Sequence, residues 1–409
     1  MVSMDFVRIS ALFGVILYHA AGAYSTNTPY WSVHDGSSLI ATGTRELVDV
    51  FIMPLFFFLA GYFTLGSLKK KGYWAFFKGK FWELGYVWLV VVLLVIPFSF
   101  WGIEAKAGTF TGGYLGYWLS WLGGIGQFRL GVFDNPSQNT SMHFWFISLL
   151  LYFFIAFILL HMAKGRLFKA SVPAKTIPHS GRNTQVTLLV FGLIVTAGYF
   201  VSLLLVPDTS WLTVKLFLQC QPDKLFIFAA YFCLGLYGYS KNWFVDGRPL
   251  GRLSIWAPAA VILAVGFMLA GQALFKNPTA TTSLPPAYLL LYALVRSFLL
   301  LAVLVTFCSL GVKYFNRSNR FINSMADNSY YIYLIHIYFI NVFQDILMIW
   351  PNGPVEIKML IVFALSLAIS YPISRWIFKK VPRWWGLLIL VALFFVLPVA
   401  LGMVRGIGR

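Results

Sequence analysis

Eleven stretches of about twenty apolar residues recur along the chain, near residues 5–23, 45–66, 85–103, 143–163, 187–206, 225–240, 253–274, 287–310, 329–350, 358–378 and 385–403, and runs of that length are suited to the hydrocarbon core of a bilayer. Inside lipid no water is present to satisfy backbone N–H and C=O groups, so each run must close its hydrogen bonds internally as a helix. The composition agrees: 59% of the 409 residues are hydrophobic, 11% are charged, and the mean hydropathy is +0.78, far outside the range of soluble domains. The expected fold is all-α, a polytopic transmembrane helix bundle of 10–11 spans whose partner is the lipid bilayer.

The loops between these runs divide by charge. Those after the second, fourth, sixth, eighth and tenth runs hold Lys69, Lys70, Lys71, Lys78 and Lys80; Lys164, Arg166, Lys169, Lys175 and Arg182; Lys241, Arg248 and Arg252; Lys313, Arg317 and Arg320; and Arg375, Lys379, Lys380 and Arg383. The alternate loops carry only a scattering: Lys106, Arg129, Lys215, Lys224, Lys276 and Lys358. Cytoplasmic loops collect Lys and Arg, so the alternation places the N-terminus in the cytoplasm and supports the span count. It also accounts for the net charge of +18 without a nucleic-acid partner. An odd number of spans leaves Arg405 and Arg409 outside, a mild conflict with the same rule. The first run is not read as a signal peptide, because Asp5 precedes Arg8 where a basic leader is required and a histidine falls inside the apolar core. Cys220, Cys233 and Cys308 show no paired spacing and read as buried thiols.

Ionisable residues inside such runs are costly and usually functional. Arg8 and His19 are eleven residues apart in the first run, so on a helix they share a face about 16 Å apart along the axis. Arg8 can bind an anionic ligand or snorkel and pair with Asp5; His19 can titrate or pack. Ser329, Tyr333 and His336 stand at i, i+4 and i+7 on one face of the ninth span, suited to a substrate contact, to orienting His19, to oxyanion donation or to an interhelical hydrogen bond. His143 and Trp145 open the fourth span beside a long aromatic loop, residues 104–142, and His143 is an acceptor-site candidate. Glu46 and Asp49 open the second span with Arg45 and are candidates for binding sugar hydroxyls. Arg296 is a further cation inside a span, with no partner nameable from sequence. The histidines show no metal-ligand spacing, so no metal is expected.

Taken together, four strings resemble the acyltransferase 3 family of membrane enzymes, which move acyl groups onto sugars and related acceptors. They are the Arg8-to-His19 spacing, Phe56-Phe57-Phe58-Leu59-Ala60-Gly61-Tyr62-Phe63, Met142-His143-Phe144-Trp145-Phe146, and Ser329-Tyr330-Tyr331-Ile332-Tyr333-Leu334-Ile335-His336. The third is similar to a His-Leu-Trp-Phe sequence of glucan-modifying members. Ala60 stands where the family usually has serine, and Ile52 where glucan-modifying members have arginine, which leaves the acyl group open. The resemblance runs from residue 4 to about 378, giving an acyltransferase region 1–378 and an additional span and tail, 379–409.

The resemblance implies a multi-pass protein of the bacterial cytoplasmic (inner) membrane that uses cytoplasmic acyl-CoA, acetyl-CoA first among the donors, to acylate a hydroxyl of a glycan or glycolipid. His19 and Arg8 would be catalytic, with Arg8 also holding the phosphates of the carrier together with Ser329, Tyr333 and His336 on the donor side. Glu46, Asp49, His143 and Trp145 would contact the acceptor. The rival class is a proton-coupled transporter or flippase, which buried Arg and His would also suit; the two halves of the chain show no internal similarity of the kind carriers show.

Overall fold

The computed structural model describes residues 2–28, 31–131, 141–163, 181–208, 210–245, 247–276, 284–317 and 319–381, with a few positions between 385 and 392. The helices in chain order are α1 (Val2–Ala20), α2 (Leu39–Asp49), α3 (Ile52–Lys71), α4 (Tyr73–Lys80), α5 (Tyr86–Val90), α6 (Ile96–Ala107), α7 (Tyr114–Gly123), α8 (Trp145–Ala163), α9 (Gly181–Leu205), α10 (Pro222–Ser240), α11 (Leu253–Ala270), α12 (Gln272–Lys276), α13 (Pro286–Tyr314), α14 (Arg320–Leu347) and α15 (Val355–Ile373). Single π-helical turns join α4, α5 and α6 into one rod, Tyr73–Gly102. Several starts are written in the sequence: Ser38 caps α2 by accepting from the Ala41 N–H, Asn319 caps α14 through the Phe321 and Ile322 N–H groups, and Pro222 and Pro286 occupy first-turn positions where a missing N–H costs nothing.

Among the described residues, eight helices are long and apolar enough to cross a membrane. α10 and α14, of 19 and 28 residues, coincide with two more of the expected spans but carry more polar residues. In α14 those residues face inward: Asn328, Ser329, His336 and Gln344 are all buried. Most of the expected run 385–403 lies outside the described residues, as does most of the segment 379–409. The second expected span, 45–66, is in fact two helices: α2 begins at Leu39, and the chain breaks at Val50 and Phe51 before α3 resumes.

α1 runs through the middle of the bundle. Ile9, Leu12 and Ile16 belong to a core shared with α8, α14 and α15, while Met4, Val7 and Ala11 belong to a second core with α9, α10, α11 and α13. The outer faces of α9 and α11 are apolar and bare, with Val261 at 65% and Ile262 at 70% exposure; continuous surfaces of that kind need lipid. Cys233 is on such an exposed face, contrary to the reading of three buried thiols, whereas Cys220 and Cys308 are buried. Burial pushes the Cys220 thiol up to about 11.

α3 and α10 cross with their backbones in close approach. A Cβ on Gly61 would lie 2.0 Å from the Phe232 carbonyl oxygen, and one on Gly235 would lie 2.1 Å from that of Phe58. Each glycine makes room for the other helix, the small-residue packing expected where no hydrophobic drive holds helices together.

One end of α1 lies with the basic loops. Phe6 stacks on Phe315 just past α13, at 4.3 Å between centroids, and Arg8 lies over Phe63, less than two turns before Lys69. The opposite end is capped by a three-stranded antiparallel sheet, a local departure from an all-helical chain: β1 (Phe128–Gly131) pairs with β2 (Trp211–Val214), and β2 with β3 (Leu218–Cys220), joining two outer loops.

Candidate active site

Three histidines from distant parts of the chain meet at the end of the bundle away from the basic loops. His19 is in the last turn of α1, His336 is in α14, and His143 is in the 3-10 turn Met142–Phe144 that leads into α8. Their ring centroids are 5.1 Å (His19–His336), 5.3 Å (His143–His336) and 6.0 Å (His19–His143) apart. Met142 has φ 45, a left-handed conformation that a side-chain-bearing residue adopts only under constraint, and it sets the direction from which His143 enters.

Hydrogen bonding assigns the protons. His336 Nδ1 lies 2.7 Å from the Tyr333 carbonyl oxygen, which only accepts, so Nδ1 carries the hydrogen and Nε2 of the neutral ring is bare. That Nε2 lies 3.0 Å from His19 Nδ1, which must therefore be the donor. His19 Nε2 is left as the unprotonated nitrogen, the form a general base requires. His143 is 7% exposed and neither ring nitrogen has a hydrogen-bond partner among the described residues; its backbone carbonyl accepts from the Tyr333 hydroxyl at 2.5 Å.

The loop after α1 folds back over His19. The Trp31 ring stacks on the imidazole at 5.8 Å and 22°, and its Nε1 donates to Gln344 Oε1 at 2.8 Å. Gln344 Nε2 in turn donates to the His19 and Ala20 carbonyl oxygens, terminal groups of α1 that the helix itself cannot satisfy. Gly22 makes the stacking possible, since a Cβ there would lie 2.5 Å from the indole. Asn27 anchors the loop by donating to Glu46 Oε1 at 2.8 Å, and Asp35 by a 2.8 Å ion pair with Lys358, which is 1% exposed.

The other sequence candidates are distributed around this centre. Tyr333 shares it, through its carbonyl and its hydroxyl. Trp145 forms a neighbouring wall, packed on Trp211 and Phe228. Ser329, on the same helix, donates to the Ala326 carbonyl at 2.7 Å and is spent on its own backbone. Arg8 is about 16 Å away along α1, with 32% of its side chain exposed, and pairs with Asp5 at 3.0 Å. Glu46 and Asp49, the candidates for binding sugar hydroxyls, take different partners: Glu46 meets Asn27 and Arg45, while Asp49 Oδ2 accepts from Lys224 at 2.7 Å and from Arg296 at 3.0 Å. Arg45 links α2 to the histidines, with its guanidinium 4.4 Å from the Tyr18 ring and Nη2 2.5 Å from the Tyr18 hydroxyl.

Gln344 and Tyr18 were not singled out from sequence. Gln344 had a signal, because it stands eight residues, a little over two turns, beyond His336 on α14. Lys224 and Lys358 were read as scattered loop charges, and the structure buries both in ion pairs.

Comparison with known families finds that the profile of the acyltransferase 3 family, described as an acyltransferase domain, matches residues 1–403. No curated protein and no solved structure matches the chain.

Proposed function

The chain belongs to the acyltransferase 3 family, and from that premise we propose that it is a membrane O-acyltransferase taking an acetyl group from cytoplasmic acetyl-CoA to a hydroxyl of a glycan or glycolipid. The observation that supports this reading is the bare Nε2 of His19, held in that tautomer by His336. In the reaction the acceptor hydroxyl gives its proton to His19 Nε2 as its oxygen attacks the thioester carbonyl. The C–S bond then breaks, and the coenzyme A thiolate leaves and takes up the proton, so the imidazole returns to its starting state. His143, with unspent hydrogen-bonding nitrogens beside His19 and His336, orients the acceptor oxygen. Arg8 keeps part of its guanidinium exposed on the side of the basic loops, suited to coenzyme A phosphates. The donor arm then has to cover the roughly 16 Å to His19. Trp31 roofs His19, so acceptor access needs the Trp31 indole to swing aside.

The test is transfer of radiolabelled acetyl from acetyl-CoA to a membrane glycan fraction by purified protein in nanodiscs, with acetyl-CoA affinity measured in parallel. His19→Ala is expected to lower turnover by roughly 10²–10⁴-fold with donor affinity retained. Arg8→Ala is expected to weaken acetyl-CoA binding. Full turnover in His19→Ala would remove the base assignment, and glycan movement across a bilayer without acyl transfer would return the chain to the carrier class.

A further inference from the structure

The aromatic segment that follows the rod Tyr73–Gly102 does not stand clear of the bundle. α7, ten residues long, lies across the outer half of the rod and is pinned to it along both edges. On one edge the Tyr117 hydroxyl donates to Glu104 Oε1 at 3.1 Å, just past the end of the rod. On the other, the Trp118 indole Nε1 donates to the Leu93 carbonyl at 2.8 Å and the Tyr114 hydroxyl to that of Leu94 at 3.3 Å. Leu93 stands nine residues before Gly102, roughly 13 Å further into the span. Its carbonyl is open to a side chain because residue 97, four positions on, is proline and has no N–H to give it, and the π-helical turn Val91–Val95 shifts the hydrogen-bond ladder at the same place. Inside a bilayer no water can take that role, so a neighbouring donor must, and Trp118 is that donor.

α7 spends its aromatic residues on the rod: Tyr117 and Trp121 are buried, and Trp121 stacks on Phe100 at 6.0 Å. Its other face is apolar and bare, with Leu115 at 67% and Leu119 at 57% exposure, one turn apart. The chain then runs into β1, where Phe128 and Leu130 share one exposed face and Arg129 points the other way. Phe217, in the turn between β2 and β3, is exposed as well, and its carbonyl accepts from the hydroxyl of Tyr152, a residue of α8 about 10 Å below that helix's outer end at Trp145. Two segments that leave the spanning helices thus return alongside them. Their apolar surface is continuous with the lipid-facing side of the rod, where Leu94 is exposed beside Tyr114. Arg129 is exposed at its edge, and the Lys215 amine lies 4.2 Å from the Trp121 ring centre, so two cations are placed to meet the phosphates of lipid headgroups.

We propose that α7 and the β2–β3 turn are immersed in the outer leaflet of the bilayer, with lipid acyl chains against Leu115, Leu119 and Phe217. The partner of this surface is lipid, although the segment reads as an outside loop in sequence. The inference goes beyond the reaction and holds whether or not acyl transfer occurs. It also brings the aromatic wall of the histidine site to the edge of the leaflet, because Trp211 of the same sheet packs on Trp145.

The experiment places single cysteines at Leu119 and Phe217 in full-length protein carrying Cys233→Ser, with Val261, on the bare face of α11, as the lipid control and Ser37 as the water control. Each is labelled with an environment-sensitive fluorophore and reconstituted at one copy per phosphatidylcholine nanodisc, and quenching by doxyl-labelled phosphatidylcholine is compared with quenching by iodide. Leu119 and Phe217 are both exposed, so neither substitution removes a packed side chain. Leu119→Cys and Phe217→Cys are expected to follow Val261→Cys: loss of most of the fluorescence with doxyl lipid, emission shifted to the blue of Ser37→Cys, and little response to iodide. Quenching by iodide with none by doxyl lipid would put the surface in water and overturn the proposal. Protection from both quenchers overturns it too, because protein would then cover the surface. Doxyl quenching that is present in one-copy discs and lost in densely loaded phosphatidylcholine vesicles would assign the surface to a second copy of the chain, and overturns it likewise.

Discussion

The proton on His19 is set by a residue 317 positions away. His336 fixes it in two steps: its Nδ1 is committed to the Tyr333 carbonyl, so its Nε2 can only accept. Removing His336 frees the His19 ring to adopt either tautomer, so His336→Ala is expected to lower the turnover of acetyl transfer by roughly 10²-fold, with acetyl-CoA affinity unchanged. His336→Gln is expected to recover part of that loss, because an amide oxygen can accept from His19 Nδ1. Unchanged turnover in His336→Ala would mean that the tautomer is set elsewhere. Each histidine was legible as an ionisable or polar residue at a span or its end, but their meeting was not. Helical periodicity reports which residues share one face, and residues 19, 143 and 336 are on three different elements. Glu46 and Asp49 were legible as a pair of carboxylates three residues apart; what was not legible was the partner each found, Asn27 and Arg45 for one and Lys224 and Arg296 for the other.

At the scale of the element, the α3–α10 crossing and the α2–α3 break both position the site. Gly61→Val and Gly235→Val would each push side-chain atoms into a facing carbonyl oxygen, and neither neighbour can yield, since both are helix backbone. Either variant is expected to fall out of the monodisperse detergent-solubilised fraction or to lose several degrees in thermal stability, followed by fluorescence-detected size exclusion. Gly113→Val, where a Cβ meets nothing within 4 Å, is the matched control. The loop over His19 has its own device: Gly22→Val would displace the Trp31 indole and expose the imidazole, raising the rate at which diethyl pyrocarbonate modifies His19. The spans themselves were legible because apolar length alone decides them. The break at Val50 and Phe51 was not, because both residues are apolar; its one mark in sequence is Pro54, which supplies no N–H within the first turn of α3.

Across the whole molecule, charge and packing agree on two sides. The N-terminal end of α1 packs against the end of α13 near Lys313 and against α3 just before Lys69, Lys70 and Lys71, the residues that the charge alternation puts in the cytoplasm. The opposite side holds His19, its loop and the small sheet, and there two of the scattered lysines are buried in ion pairs: Lys358 with Asp35 and Lys224 with Asp49. These charges therefore reflect tertiary structure and do not weaken the orientation. The arrangement predicts that a cysteine at Ser37, exposed in the loop over His19, reacts with a membrane-impermeant maleimide in intact cells, and that one at Lys70 reacts only after permeabilisation. The exposed Cys233 should be replaced by serine beforehand. The opposite labelling pattern would turn the histidines toward the cytoplasm. Donor and acceptor would then have to come from the same side, and Arg8, at the far end of α1, would lose its proposed place on the route of the donor.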